Sequence, residues 1–118
     1  KKTEVEKPIT FVKTYEGGDI FAVETTGDGG YLAVGREDGN ALILKYSRDG
    51  NTEWRKKIED TKYNSIKSIK KCEDGGYFAT GETDGFQGTS TNGESDIITI
   101  KLTSQGAIEW YKMIGGGA

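Results

Sequence analysis

The chain contains no histidine, so it lacks the side chain most used for proton transfer near neutral pH and for holding transition metals. Its one cysteine, Cys72, excludes an intrachain disulfide and a Cys–His nucleophile couple. Lys70 and Lys71 beside it would favour a reactive thiolate, although a half-buried strand residue is the simpler reading. Neither a GxxxxGK[ST] phosphate loop nor a GxGxxG dinucleotide motif occurs, and no cofactor is expected. No apolar run approaches the roughly 20 residues that span a bilayer, so no membrane insertion is expected. Lys1-Lys2-Thr3-Glu4 has no apolar signal-peptide core. The chain starts without Met and stops at Gly115-Gly116-Gly117-Ala118, and so reads as a piece cut from something longer. The formal net charge is −3 with charges spread along the 118 residues; that leaves no basic face for nucleic acid or anionic lipid.

What is present is glycine, 18 residues of it, and most of it punctuates a duplication. Asp28-Gly29-Gly30-Tyr31-Leu32-Ala33-Val34-Gly35 returns as Asp74-Gly75-Gly76-Tyr77-Phe78-Ala79-Thr80-Gly81, with Tyr31 and Tyr77 46 residues apart. Around each copy lie short runs rich in β-branched and aromatic residues, separated by Gly/Asp turns, the pattern of an antiparallel meander. In the first copy the strands are 19–26, 31–37, 41–47 and 52–58. In the second they are 64–72, 77–83, 96–103 and 108–114. Ala41 to Tyr46 is apolar except for Lys45, which predicts an inner strand. The charges of Glu53, Arg55, Lys56 and Lys57 predict that 52–58 lies at an edge. Tyr63, Ile66 and Ile69 recur every three residues across 61–71, but that stripe is too thin for a helix, and the match to the first copy predicts a strand.

The copies disagree in one place. Lys45 and Lys101, like Trp54 and Trp110, are 56 residues apart. The second copy therefore carries extra residues, which fall in the loop 84–95, between its second and third strands. Phe11-x-Lys13 matches Trp54-x-Lys56 and Trp110-x-Lys112, which makes 10–18 an orphan strand of the fourth type behind a linker or leader at 1–9. The expected organisation is an all-β repeat domain over 10–118, with one unit at 19–60 and another at 61–118.

These motifs resemble the bacterial and archaeal DGGY-type β-propeller repeats, of the kelch-like and quinoprotein-like blade kind. The resemblance rests on Asp74-Gly75-Gly76-Tyr77, Gly81, Asp96, Lys101, Gly106, Trp110, Lys112 and Gly115-Gly116, and on their first-copy counterparts. The first copy departs with Asn40 in place of the aspartate and Glu59-Asp60 in place of the glycine pair. The resemblance implies two tandem four-stranded blades within a larger or oligomeric propeller, in a secreted or surface protein. It assigns Gly29, Gly30, Gly75 and Gly76 to turns and Tyr31 and Tyr77 to the repeat framework. Trp54 and Trp110 become wedges between blades, and Gly35 and Gly81 mark close approach of a neighbouring blade. A closed ring holds about 4–8 blades. The expected partners are therefore neighbouring blades of a longer chain or further copies of this one, with 10–15 pairing into a neighbour's sheet.

No catalytic residue is expected. Glu37 with Asp38, Glu82 with Asp84, and Glu94 with Asp96 are carboxylate pairs, but none has calcium-loop spacing. The loop 84–95 is the one segment the repeat does not require, and loops on rigid scaffolds carry binding functions. Its candidate contact residues are Phe86, Gln87, Thr89, Asn92 and Glu94, with Phe86 either a recognition aromatic or tucked onto its own sheet. The leading functional expectation is a non-catalytic interaction or scaffolding module. The alternatives are a carbohydrate-binding propeller, which would expose Tyr31, Tyr77 and the loop together, and a fragment of a propeller enzyme.

Overall fold

The computed structural model describes residues 17–91 and 95–115. The proposed linker 1–9, most of the orphan strand 10–18, and Asn92 and Glu94 lie outside the described residues. The first unit forms β1 (Asp19–Thr25), β2 (Tyr31–Glu37), β3 (Asn40–Tyr46) and β4 (Thr52–Ile58). They make one antiparallel sheet in chain order. The second unit forms β5 (Asn64–Lys71) and β6 (Tyr77–Thr83), then a small hairpin, β7 (Gly85–Phe86) and β8 (Thr89–Ser90). β9 (Asp96–Leu102) and β10 (Ile108–Ile114) complete it, giving a second four-stranded sheet ordered β5-β6-β9-β10. Residues 64–71 are thus strand, as the duplication required.

The turns follow from the glycines. The Thr26 amide donates to the Gly30 carbonyl at 3.0 Å and the Gly29 amide to the Thr26 carbonyl at 3.1 Å; Cys72, Gly75 and Gly76 repeat the pair at 2.9 and 3.2 Å. Gly29 and Gly75 have φ of 89° and 91°, values a β-carbon disfavours. Between β2 and β3, Asp38 and Gly39 both have positive φ, the two-residue hairpin turn that matches strand twist.

Gly35 and Gly81 require a correction. They are close-approach positions, but what approaches is the neighbouring strand of their own sheet rather than another sheet. A β-carbon at Gly35 would lie 1.8 Å from the Asp19 carbonyl oxygen, and one at Gly81 would lie 1.8 Å from that of Ser65. At both places the register shifts by a bulge, between Ile20 and Ala22 in β1 and between Ile66 and Ser68 in β5. A bulge crowds the facing backbone, and glycine relieves the crowding.

The sheets stack face to face. One core joins Leu32, Val34, Ala41, Ile43 and Ile58 of the first sheet to Ile66, Ile69, Tyr77, Ala79, Ile98, Ile100 and Leu102 of the second. A second, smaller core, Ala33, Leu42, Leu44 and Tyr46, buries the opposite face of the first sheet. β3 is accordingly inner and buried on both faces, and β4 is an edge strand, its charges engaged by Glu37 and Asp38 through Arg55 and Lys57.

Candidate functional site: the uncovered face of the second sheet

Cross-strand register sorts each sheet into two faces. In the first sheet, Leu32, Val34, Ala41, Ile43, Lys45, Trp54, Lys56 and Ile58 share one face. In the second, the residues at matching repeat positions, Phe78, Thr80, Ile97, Thr99, Lys101, Trp110, Lys112 and Ile114, likewise share one face. Yet the face of the second sheet that packs on the first is the other one. The two sheets therefore stack head to tail: one kind of face in the first unit meets the opposite kind in the second.

The consequence is visible in the burial. Leu32, Ala41 and Ile58 are buried beneath the second sheet. Their counterparts Phe78, Ile97 and Ile114 are 39%, 49% and 48% exposed, and Trp110 is 46% exposed. Thr80 and Thr99 stand where Val34 and Ile43 stand, which keeps the branched shape and makes the open face more polar. The Phe78 and Trp110 rings meet edge to face, centroids 5.7 Å apart, an arrangement favoured by their quadrupoles.

The covered face shows what such a surface does when met. Trp54 lies over the turn between β9 and β10, so close that a β-carbon at Gly106 would come within 2.5 Å of its ring. The Lys56 ammonium donates to the Gly106 carbonyl at 3.1 Å. Trp54 is thus wedged against the β9–β10 turn of the other sheet. Trp110 and Lys112 occupy the corresponding positions on the open face and are both exposed.

Behind each tryptophan sits an ionic cluster that the sequence left as unrelated repeats. The Lys45 ammonium reaches Asp28 at 3.1 Å and Glu53 at 3.0 Å; Lys101 reaches Asp74 at 3.0 Å and Glu109 at 3.2 Å. The matched positions of Asp, Lys and Glu in both copies were the available signal. Donation from the Thr26 hydroxyl, then the Gly30 amide, then Lys45, holds the Asp28 carboxyl well below the usual range. Asp74 is lowered by the Gly76 amide first and Lys101 second. Burial pulls the Lys45 ammonium down, but Glu53 and Asp28 outweigh it and the net shift is upward. Lys101 is raised chiefly by Asp74. A shallow polar depression of about 200 Å³ beside Lys101 is lined by Asp74, Thr103, Ser104 and Glu109. It is open because Ser104 replaces Arg48, whose guanidinium lies over Gly29 in the first unit. With Asp74, Glu109 and the Leu102 carbonyl all accepting from Lys101, that ammonium is already satisfied within the sheet.

The described part of the loop, residues 84–91 and 95, is placed differently from the expectation of a displayed binding segment. Phe86 is 1% exposed and stands edge to face with Tyr111, centroids 4.8 Å apart, so it belongs to the core and is no recognition aromatic. The Gln87 amide donates to Asp60 at 2.7 Å, the Asp84 amide to the Tyr63 carbonyl at 2.9 Å, and Asn64 Nδ2 to the Gly85 carbonyl at 3.0 Å. Gln87 and Gly88, with φ of 50° and 90°, turn a hairpin; the segment braces the junction between the sheets. Thr89 is exposed and its hydroxyl lies 3.4 Å from that of Tyr111. Tyr77 is 3% exposed, so Tyr31, Tyr77 and the loop do not form the shared exposed surface that the carbohydrate reading called for. Of the carboxylate pairs, Glu37 and Asp38 are salt-bridged and Asp84 accepts from Ser95. Among the described residues no three His, Cys, Asp or Glu side chains come together as a metal site.

No protein-family model matches the chain, and no curated protein does. Among solved structures it is similar to a protein of unknown function from Bacteroides caccae, with 12% sequence identity and a TM-score of 0.41. The similarity covers 90% of this chain and 49% of that one, so the chain spans about half the length of that protein.

Proposed function

We propose that this chain is a non-catalytic repeat module for protein interaction or structural scaffolding, its two sheets being consecutive blades of a propeller-type array. The observation that carries the reading is the contrast between two equivalent faces. Leu32, Ala41 and Ile58 are covered, while Phe78, Ile97 and Ile114 are not. Several large apolar side chains exposed on one sheet face, here with Thr80, Thr99 and Lys112 between them, point to an interaction surface, and a repeat unit needs neighbours on both faces to complete its burial. Lys112 stands among these apolar side chains, exposed beside Thr99.

The test compares the natural chain with a Phe78→Thr, Ile97→Thr, Ile114→Thr variant of unchanged far-ultraviolet circular dichroism. The natural chain is expected to bind the apolar dye bis-ANS several-fold more strongly and to associate measurably in sedimentation velocity at high concentration. Identical dye binding and sedimentation by the two proteins would remove the reading. Retention of an oligosaccharide on a glycan array, lost on Trp110→Ala, would replace it with carbohydrate recognition.

A further inference from the structure

We infer that the polar depression beside Lys101 is a binding site for a guanidinium group, the head of an arginine side chain carried by another polypeptide. The first unit supplies the template, because there the equivalent place is filled from within the chain. The two turns concerned are built alike. The Ser47 amide donates to the Asn51 carbonyl at 2.8 Å and the Gly50 amide to the Ser47 carbonyl at 2.9 Å; Thr103, Ala107 and Gly106 repeat both bonds at 2.8 and 2.9 Å. The Ser47 and Thr103 hydroxyls each accept from the amides two and four residues further on. The residue after the hydroxyl is Arg48 in one turn and Ser104 in the other. A β-carbon at Gly29 would lie 2.7 Å from Arg48 Nη2 and 2.9 Å from its Nε, whereas one at Gly75 would meet nothing within 4 Å. The space that a guanidinium fills over Gly29 is thus open over Gly75, and the depression beside it is lined by Asp74, Gly76, Ser104 and Glu109.

The charges select a cation, and the template selects which one. Lys101 is satisfied by Asp74, Glu109 and the Leu102 carbonyl, so it calls for no anion. Asp74 accepts from the Gly76 amide and Lys101, and Glu109 accepts from Lys101, which leaves acceptor positions on both carboxylates. A small metal ion would set a concentrated charge against the Lys101 ammonium. A guanidinium spreads its charge over a plane and donates through five N–H groups. The first unit holds both cations at once, the Lys45 ammonium between Asp28 and Glu53 and the Arg48 guanidinium over Gly29. This site goes beyond the interaction reading above and does not depend on it. In the covered unit the Asp28 and Glu53 side chains remain 59% and 44% exposed, close to the 61% and 46% of Asp74 and Glu109.

The test is a nitrogen–proton correlation NMR titration of the full chain at low salt, since exposed ion pairs are weak and screened. The probes are acetyl-Gly-Arg-Gly-amide, acetyl-Gly-Lys-Gly-amide, free L-arginine and calcium chloride. The arginine peptide is expected to shift the Gly75, Gly76 and Ser104 amides saturably, and to bind at least fivefold more tightly than the lysine peptide, whose ammonium cannot lie flat over the turn. Free arginine is expected to bind more weakly than the capped peptide, because its α-carboxylate is repelled by Asp74 and Glu109. Ser104→Arg fills the depression from within and is expected to abolish the shifts. Arg48→Ser opens the first unit's counterpart and is expected to raise the bound peptide from one per chain to two, with new shifts at Gly29 and Gly30. Equal affinity for the two peptides, undiminished binding by Ser104→Arg, or no second site in Arg48→Ser overturns the inference. Tighter binding of free arginine, or saturation of the same amides by calcium at lower concentration, also overturns it by changing the ligand. Dye binding and association through the open face are expected to be the same in Ser104→Arg as in the natural chain, so failure of this inference is distinct from failure of the interaction reading.

Discussion

Lys45 and Lys101 are buried ammonium groups, each held between two carboxylates from different turns and strands. A buried lysine is costly unless paired and hydrogen-bonded, and the cluster ties the turn before the second strand to the third and fourth strands. Its pH behaviour follows from the directions of the shifts. Asp28 and Asp74 are lowered in the folded chain, so their stabilisation is complete above the unfolded carboxylate value of about 3.9 and fades as pH falls below it. Lys45 and Lys101 are raised, so theirs is complete below about 10.4 and fades only at higher pH. With no histidine in the chain, Tm measured by circular dichroism is expected to fall between pH 4 and pH 2, and Asp28→Asn with Asp74→Asn is expected to flatten that acid limb. An unchanged limb in the double variant would show that other carboxylates govern it. The copies differ in one supporting residue: Cys72 stands where Thr26 donates to Asp28 at 2.5 Å. Cys72→Thr is expected to move the acid midpoint to lower pH. The cysteine is thus a turn residue lacking its counterpart's hydroxyl donation.

At the scale of elements, the strands were legible because turn chemistry and side-chain alternation are local. The spans 31–37, 52–58, 77–83 and 108–114 were bounded by Gly/Asp turns in the sequence and are β2, β4, β6 and β10 in the structure. The bulges were not legible. A one-residue shift between Ile20 and Ala22 leaves no compositional mark, and only the close approach of the Asp19 carbonyl explains why Gly35 must be glycine. Gly81→Ala is expected to cost about 2 kcal/mol, the range for forced overpacking, because the obstructing atom is backbone and cannot rotate away. Urea unfolding measures it, and a change under 0.5 kcal/mol, roughly the noise of a benign surface substitution, would contradict the geometry. The small hairpin β7–β8 was read as a polar loop because its strands are two residues each. What makes it an element is Phe86, drawn into the core against Tyr111, and the Gln87–Asp60 bond, both of which are non-local.

For the whole molecule, the core that runs through both sheets predicts that they unfold together. Coincident urea transitions by tryptophan fluorescence and circular dichroism are expected, as for a single cooperative unit. Trp54→Ala removes the wedge over Gly106 and is expected to cost about 3 kcal/mol, with the two signals separating as the sheets uncouple. Coincident transitions in that variant would mean that the aliphatic contacts alone couple the sheets. By itself the sequence determined that the chain is a duplicated all-β meander, where its turns fall, and that its tryptophans are equivalent, since these depend on neighbours a few residues apart or on copy matched to copy. Only the tertiary structure decided that the inserted segment is a brace, that Gly35 and Gly81 serve bulges, and that one tryptophan is seated while its twin is not. The bulges depend on strand register within each sheet, and the other two outcomes on which face of one sheet meets which face of the other. That choice is made by packing between residues far apart in the chain, and no local pattern encodes it.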